Sequence, residues 1–286
     1  MTALRELDAL ATRGGTVLSV WAGPLDGPPW LTRRADTVHQ AASTLKLPLA
    51  IAARRQVEGG VLDLDEPVHV HPRFSSAAGE GAYELNADND NDHEPWDRSG
   101  SDVPIGWLLE RAIVASSNLA TNLLIERVGL AAVNEVYALA GATRSRLRRG
   151  IQDTAASAAG LHNTATAGDL AAVVRGLLGG QLLGPDATCD IEGLLAAGEW
   201  NDAIPAGLPP NTYVAHKPGW TGECCHDVGV VRPAGEAPLV LAVFTTTRLP
   251  EQAAHAVVAA ASGIVWRHRP RAAQARAALA LPTSPR

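Results

Sequence analysis

The chain has 286 residues, and its 24 basic and 30 acidic side chains give a formal net charge of −6. This balance argues against a generic nucleic-acid-binding protein, which usually carries a basic excess. A hydrophobic content of 46% is typical of an ordered globular chain. No apolar run approaches the roughly 20 residues that a membrane-spanning helix needs, so a membrane protein is not expected.

Cysteine usage and the first residues bear on location. The three cysteines are too few for a disulfide framework and lack the spacing of a zinc site, so free thiols are expected. The opening residues include Arg5, Glu6 and Asp8, where a secretory signal needs an apolar core. We therefore expect a cytoplasmic location for the chain as given, and a secreted one if an upstream signal was removed.

The first elements in chain order are a helix, two strands and an apolar helix. The pattern predicts a helix over 2–13, then strands over 16–21 and 30–38 that pair antiparallel across a short break. A helix over 43–57 is apolar nearly all round, which is typical of a buried helix. Pro48 is tolerated in it only near the first turn.

The middle of the chain is predicted to be helical and the end to return to strands. A polar stretch over 73–102 is predicted as a solvated surface segment, with 86–92 as a loop. The later predicted helices cover 103–115, 119–128, 130–140, 167–178, 190–197 and 252–266, and the later strands cover 212–217, 227–231 and 239–246. This order predicts an α/β fold of the α+β type, in which an antiparallel sheet from both ends of the chain is flanked by helices beside an all-helical lobe. Residues 1–268 would form this domain, and 269–286 a flexible tail.

Lysine is almost absent from the sequence. Lys46 and Lys217 are the two lysines among the 24 basic residues, and arginine supplies the rest. Arginine keeps its proton in proteins, whereas lysine can lose it. The two lysines are therefore candidates for places where a free amine or a compact ammonium is required.

The first lysine follows a serine by three residues. Ser43 and Lys46 would share one face of the first helical turn. Serine is a poor nucleophile unless a base lies within hydrogen-bond reach. Burial and a second nearby cation would lower the pKa of a lysine enough to make it that base. A helix cap followed by a solvent-reaching lysine is the ordinary alternative.

Two further motifs follow in order. Ser116-Ser117-Asn118 lies at the joint of two predicted helices, and Lys217-Pro218-Gly219-Trp220 lies on a predicted strand. Together with Ser43-x-x-Lys46, the order and spacing resemble the serine β-lactamases and penicillin-binding proteins, and the class A β-lactamases in particular. The resemblance covers roughly residues 1–268 and implies the β-lactamase/transpeptidase-like fold.

The resemblance implies a role for each matching position. Ser43 would attack a carbonyl and form an acyl-enzyme, with Lys46 taking or holding its proton, and Ser116 would pass a proton to the leaving group. Lys217 would supply positive field, and Asn118 would hold Lys46 and the acyl amide.

The remaining matching positions belong to the oxyanion hole and the substrate-binding strand. Backbone N–H groups of Ser43 and Trp220 would form the oxyanion hole, and Gly219 and Thr221 would complete that strand. No metal or other cofactor is required by this chemistry, and a small-molecule β-lactam, ester or amide is the expected partner.

Two departures concern the carboxylate end of a penicillin-like substrate. Pro218 stands where the family has a hydroxyl residue, and Thr221 could compensate only if the strand bends suitably. His226 could serve as a weaker anion partner, or be a satisfied surface histidine. Cys224 and Cys225 are expected to be packed strand residues.

A third departure concerns deacylation. The class A glutamate follows an Arg-Leu-x-Arg stretch, and after Arg146-Leu147-Arg148-Arg149 the corresponding position holds Ile151. Asp153 is the nearest carboxylate, either a water-activating base or the cap of the next helix. Losing a general base typically costs about 10²- to 10⁴-fold in rate.

Three functions remain open from the sequence. The chain is either a β-lactamase-like serine hydrolase, a penicillin-binding-like protein that acylates and releases slowly, or a scaffold that retains the fold without catalysis. A hydrolase of this kind in the cytoplasm would act on a metabolite ester or amide, and Pro218 favours one without a carboxylate. The two lysines argue against the scaffold.

Overall fold

The computed structural model describes residues 2–79 and 81–270. Its central feature is a five-stranded antiparallel sheet with the order β2-β1-β11-β10-β9. The five strands are β1 (Val17–Pro24), β2 (Leu31–Arg33), β9 (Tyr213–Thr221), β10 (Cys224–Arg232) and β11 (Leu239–Thr246). Because β1 pairs with β11, strands from the early and late parts of the sequence share one sheet, as predicted.

Helices cover both faces of this sheet and form a separate lobe. They are α1 (Ala3–Gly14), α2 (Lys46–Glu58), α3 (Glu94–Asp97), α4 (Ile105–Ile113), α5 (Asn118–Val128), α6 (Leu130–Leu139), α7 (Thr154–Ala158), α8 (Ala167–Leu178), α9 (Pro185–Ala196) and α10 (Glu251–His268). Helices α1 and α10 pack on one face, around a cluster that includes Leu7, Val243 and Val258. The second, larger core joins the other face to α2, α4, α5, α6 and α8.

Short two-stranded ribbons connect the helices. They pair β3 (His39–Gln40) with β8 (Thr164–Ala165), β4 (Pro67–His69) with β7 (Asp102–Pro104), and β5 (Arg73–Ser75) with β6 (Ala82–Glu84). None of the described helices is long and apolar enough to cross a membrane.

Helix α2 lies at the centre of the helical lobe. Its first eight residues, 46–53, are all buried, which confirms the prediction of a central helix. Pro48 is its third residue, where the backbone N–H has no partner within the helix, so the proline is tolerated without a kink.

Two sequence predictions need correction. The strand predicted over 30–38 is reduced to Leu31–Arg33, because Arg34 adopts a positive φ of 46° and ends the pairing. The stretch 73–102 is not simply a solvated insertion, since Asp90 and Asp92 are buried within it. The tail predicted over 269–286 stays a prediction, because residues 271–286 lie outside the described residues; Arg269, at its start, forms an ion pair with Glu236.

Candidate active site

Ser43 lies in a tight turn that leads directly into α2. The turn is a 3₁₀ helix over Ala42–Leu45, and α2 begins at Lys46. Ala42 has a φ of 44°, which is strained for a residue with a side chain. The turn opens on a cavity of about 550 Å³ whose wall includes Ser43, Asn118, Trp220 and Thr221. The three sequence motifs therefore meet at one cavity.

The Lys46 amine is fully buried and held by three oxygen atoms. Its Nζ lies 2.7 Å from the Ser116 carbonyl oxygen, 3.1 Å from Ser116 Oγ and 2.9 Å from Asn118 Oδ1. Burial lowers the pKa of Lys46 well below its ordinary value, and the neighbouring Lys217 charge lowers it further. The buried environment thus favours a neutral Lys46 amine, the form in which lysine can act as a base for Ser43.

Ser43 and Lys46 share the turn but are not hydrogen-bonded to each other. Among the described residues, no hydrogen bond to Ser43 Oγ is present, while Lys46 Nζ is directed at Ser116 and Asn118. Catalytic hydrogen bonds are often loose in the free enzyme and tighten when substrate binds. In the free protein the Lys46 amine is therefore hydrogen-bonded to the second motif, and the Ser43 hydroxyl is left open to the cavity.

The second motif is a strained turn fixed by a buried carboxylate. Ser116 has a φ of 64° and no exposed surface. Asp90 accepts hydrogen bonds from the backbone N–H groups of Asn118 and Leu119, at 2.7 and 2.8 Å, at the start of α5. A carboxylate at a helix N-terminus is favoured by the unpaired N–H groups there. Asp90 therefore sets the position of Asn118 and, through it, of the Lys46 amine.

The third motif brings the edge strand β9 against the nucleophile turn. A Cβ at Gly219 would lie 2.5 Å from the Ser43 backbone nitrogen and 2.9 Å from that of Thr44, so a side chain is excluded there. Proline is accommodated in an edge strand where its nitrogen faces away from the ladder. Pro218 and Trp220 are two residues apart in β9, so their backbone nitrogens point to the same side of the strand. The Trp220 N–H therefore points to the same free edge, where the Ser43 turn packs.

Lys217 is the second buried amine of the site. It is 1% exposed, and among the described residues its Nζ has no hydrogen-bond partner. Burial lowers the pKa of Lys217 to about 7, although the Asp227 carboxylate opposes this shift. Lys217 itself does not line the cavity, so its unpartnered amine is available to a neighbouring hydroxyl and acts on the cavity through its charge.

The end of β9 does not replace the hydroxyl that Pro218 lacks. The Thr221 Oγ1 lies 3.3 Å from both Gln40 Oε1 and Cys224 Sγ and accepts a hydrogen bond from the Glu223 N–H, so it is used within the turn. Glu251, at the start of α10, also lines this part of the cavity.

His226 is a core residue, so the expectation of a surface histidine was wrong. It donates from Nε2 to the Gln40 carbonyl at 2.7 Å and accepts at Nδ1 from the Thr245 N–H at 3.1 Å. Burial lowers its pKa to about 3, so the ring is neutral. It therefore does not serve as an anion partner. Cys224 and Cys225 are buried strand residues, as predicted.

The loop after α6 presents an aliphatic side chain to the cavity. Ile151 lines the cavity, and Asn122 binds its backbone on both sides, accepting from its N–H at 2.8 Å and donating to its carbonyl at 3.0 Å. Asp153 is fully buried and caps α7 by accepting from the Ala156 N–H, which confirms the capping prediction. It also accepts from Ser76 Oγ and the Ala77 N–H, so it is not free to activate water.

Sequence reasoning missed three residues that shape the site. Asp90 was hidden in a polar run that resembles a surface loop, and only its long-range contacts reveal it. Arg149 and Glu251 line the cavity but belong to none of the three motifs. Their charge was visible in the sequence, whereas their position was not.

Comparison with known proteins agrees with the site geometry. A family model described as the Beta-lactamase enzyme family matches residues 2–269. An ancestral class A β-lactamase, of the last common ancestor of Gram-negative bacteria, is 27% identical with a TM-score of 0.80, covering 93% of this chain and 99% of that one. No curated protein matches the chain.

Two further solved structures share the fold at lower identity. A β-lactamase from Xanthomonas campestris pv. campestris is 22% identical with a TM-score of 0.80, covering 92% of this chain and 96% of that one. A leucine-to-glutamate mutant of PBP-A, in an acyl-enzyme complex with penicillin G, is 22% identical with a TM-score of 0.79, covering 93% and 94%. Because the family model spans nearly the whole chain, and the catalytic-type motifs meet at one cavity, the chain belongs to the β-lactamase enzyme family as a serine hydrolase related to the class A enzymes.

Proposed function

We propose that the chain forms an acyl-enzyme at Ser43 from a β-lactam or a related activated ester or amide, and that it releases the acyl group slowly. Ser43 attacks the carbonyl, and its proton passes to the neutral Lys46 amine. Ser116 then protonates the leaving nitrogen or oxygen and regains its proton from Lys46, so protons balance when the acyl-enzyme forms. Asn118 holds Lys46 and the acyl amide. Lys217, whose pKa is about 7, supplies positive charge beside Lys46 in its protonated form.

Two contacts, one between side chains and one of the backbone, support the acylation half of this mechanism. The Lys46–Ser116 hydrogen bond provides a direct path between base and proton donor. The close approach of Gly219 to the Ser43 turn supports an oxyanion hole between the Ser43 and Trp220 N–H groups. One such donor typically contributes about 3 kcal/mol to transition-state stabilisation.

The observation that carries the slow release is Ile151. Its backbone is fixed by Asn122 and its side chain lines the cavity, at the position where the family has the deacylating glutamate. The next carboxylate along this loop, Asp153, is buried and already accepts three hydrogen bonds. Water attack on the acyl-enzyme therefore lacks a carboxylate base from the loop that carries it in the family.

Pro218 and Glu251 favour substrates without a carboxylate on the leaving-group side. Pro218 is buried and offers no hydroxyl, and the Glu251 carboxylate in the nearby wall would repel an anion. Hydrolysis of a neutral phenyl ester should therefore be faster than that of the same ester with a carboxylate on the phenol. A strong preference for the carboxylate-bearing phenol would contradict this part of the proposal.

The decisive experiment is an intact-mass time course with benzylpenicillin and, separately, p-nitrophenyl acetate. We expect p-nitrophenyl acetate, whose leaving group bears no carboxylate, to leave an adduct that persists on Ser43 after excess reagent is removed and that is lost in Ser43→Ala. Benzylpenicillin carries a carboxylate on its leaving-group side, so we expect it to form its adduct more slowly than its intrinsic reactivity alone would give. If neither reagent labels Ser43 while the protein is folded, the proposed function is wrong. If the adduct forms and disappears within seconds, acylation stands and slow release does not.

A further inference from the structure

The cavity wall contains one arginine that the mechanism does not use. Arg149 lines the same cavity as Ser43 and is half-buried. The other charged side chains in that wall are the carboxylates Asp88, Asp90 and Glu251. Because arginine keeps its proton, whereas burial favours neutral amines at Lys46 and Lys217, Arg149 is the permanent cation of the cavity wall.

The Arg149 guanidinium has unused donors. Among the described residues, no carboxylate lies within 4 Å of it, and its one hydrogen bond runs from Nη1 to the Gly150 carbonyl at 3.1 Å. Its Nε is enclosed and has no acceptor within residues 2–79 and 81–270. A buried donor without a partner is unfavourable, and a guanidinium fork matches a carboxylate with two parallel hydrogen bonds.

The backbone that carries Arg149 is fixed without help from its charge. The Asn163 amide oxygen accepts from the N–H groups of Arg148 and Arg149, at 2.8 and 3.1 Å. The Asn163 amide nitrogen donates to the Arg149 carbonyl at 2.9 Å. A neutral amide thus holds the loop backbone in place, and the guanidinium, with its single hydrogen bond to Gly150, remains available to a ligand.

The position of Arg149 selects one side of the substrate. It belongs to the loop that Asn122 binds from α5, the helix whose first residue is Asn118, and Asn118 is assigned to the acyl amide. Strand β9 belongs with Glu251 at the start of α10, since Trp220 of β9 contacts His255 of α10.

On the basis of the proposed acyl-enzyme function, we infer that Arg149 binds a carboxylate on the acyl side of the substrate. The preferred substrates are half-esters or half-amides of short dicarboxylic acids. Their anionic group contacts Arg149, and their leaving group is neutral.

Three ester substrates test this charge selection. They are mono-p-nitrophenyl glutarate, with the anion on the acyl side, the neutral p-nitrophenyl valerate, and 4-valeryloxybenzoate, with the anion on the leaving group. We expect the acylation kcat/KM to be highest for the glutarate after correction for the intrinsic reactivity of each ester. Arg149→Met should lower the glutarate-to-valerate ratio by about tenfold to hundredfold, consistent with a charged hydrogen-bonded pair. Arg149→Lys should recover part of it.

Arg148→Met is the matched control, because Arg148 is the adjacent exposed arginine and is absent from the cavity wall. It removes the same charge from the same loop and should leave the ratio within about twofold, since distant exposed charges are screened. Equal ratios in the Arg148→Met and Arg149→Met proteins, or no glutarate preference in the unaltered chain, would overturn the inference.

A binding measurement separates this inference from the acyl-enzyme proposal. In Ser43→Ala, calorimetry with the unreactive glutaric acid monoanilide should show binding that Arg149→Met weakens and Arg148→Met does not. If no ester labels Ser43 but this difference persists, the acyl-enzyme proposal fails and the anion site stands. If the monoanilide does not bind, or if the two variants bind it equally, the anion site is wrong.

Discussion

The nucleophile region and the 146–163 loop face the same cavity but differ in how their polar groups are used. Around Ser43, two buried lysines, a strained serine turn and a glycine contact place reactive groups close together. In the loop, the buried polar groups of Asp153 and Asn163 are occupied by holding backbone, and Ile151 faces the cavity. Under the proposed mechanism, acylation and deacylation therefore depend on separate elements of this fold, so one can be retained while the other is lost.

The largest effect is expected from damaging the nucleophile region alone. Gly219→Ala introduces a Cβ that would lie 2.5 Å from the Ser43 nitrogen, so β9 and the Ser43 turn must move apart. A displacement of this kind at a reacting centre typically costs about 100-fold, and we expect at least that loss in the acylation rate. The measurement is the rate of adduct formation by mass spectrometry.

Gly193→Ala is the matched control for this substitution. A Cβ at Gly193, in α9, meets nothing within 4 Å, and alanine is favoured over glycine in a helix. Unchanged acylation in both alanine variants would show that the contact between Gly219 and the Ser43 turn is unimportant.

A smaller gain is expected from restoring a carboxylate in the loop. Ile151→Glu leaves the Asn122 anchor in place, because both of its bonds to residue 151 involve backbone atoms. The new base should speed decay of the adduct by about tenfold, below the full range for an optimised base, with little change in acylation. The decay rate of the isolated acyl-enzyme, compared with that of Ile151→Gln, measures the effect. Equal decay in the two variants would mean that release is limited by something other than the missing base.

The smallest effect concerns the pH dependence of stability near Lys217. Its pKa is about 7 in the folded chain and 10.5 when exposed, so between these pH values the unfolded state binds more protons. The free energy of unfolding should therefore rise with pH across this window, by at most about 1.4 kcal/mol per pH unit from this residue. Below this window the buried ammonium is destabilising in the folded chain.

Lys217→Met removes this titration while keeping an unbranched side chain in the buried site. Urea unfolding at about pH 6.5, 8 and 9.5 should show the variant more stable than the unaltered chain at the lowest pH, with the gap narrowing as pH rises. A gap that is constant with pH would show that the amine titrates normally in the folded protein.

Much of the fold could be predicted from the sequence because it depends on local patterns. The helix over 167–178 and the strand over 239–246 agree with the structure residue for residue, since each has a clear apolar period and a definite stop. Composition also indicated residues of the candidate active site, because the chain has only two lysines among many arginines. The meeting of Ser43, Lys46 and Ser116 followed from motifs whose spacing is characteristic of a family.

The remainder depended on contacts that local patterns do not encode. Asp90 looks like any acid in a polar run until α5 is seen to begin against it. The burial of His226 was missed because it depends on a contact between neighbouring strands. Its ring stacks on that of Phe244, with the ring centroids 4.4 Å apart. The strand predicted over 30–38 is shorter than expected because Arg34 adopts a positive φ. Residues with a side chain seldom do so, and nothing in the sequence indicated it.

The pairing of β1 with β11 has a consequence for biosynthesis. Strand β1 is translated well before β11, which is one of its two hydrogen-bonded neighbours in the sheet. Such non-local pairing delays folding and leaves apolar surface uncovered while the nascent polypeptide grows. Ser43 is likewise translated well before β9, the strand that packs against its turn, so the arrangement around the cavity forms only after β9 has been translated.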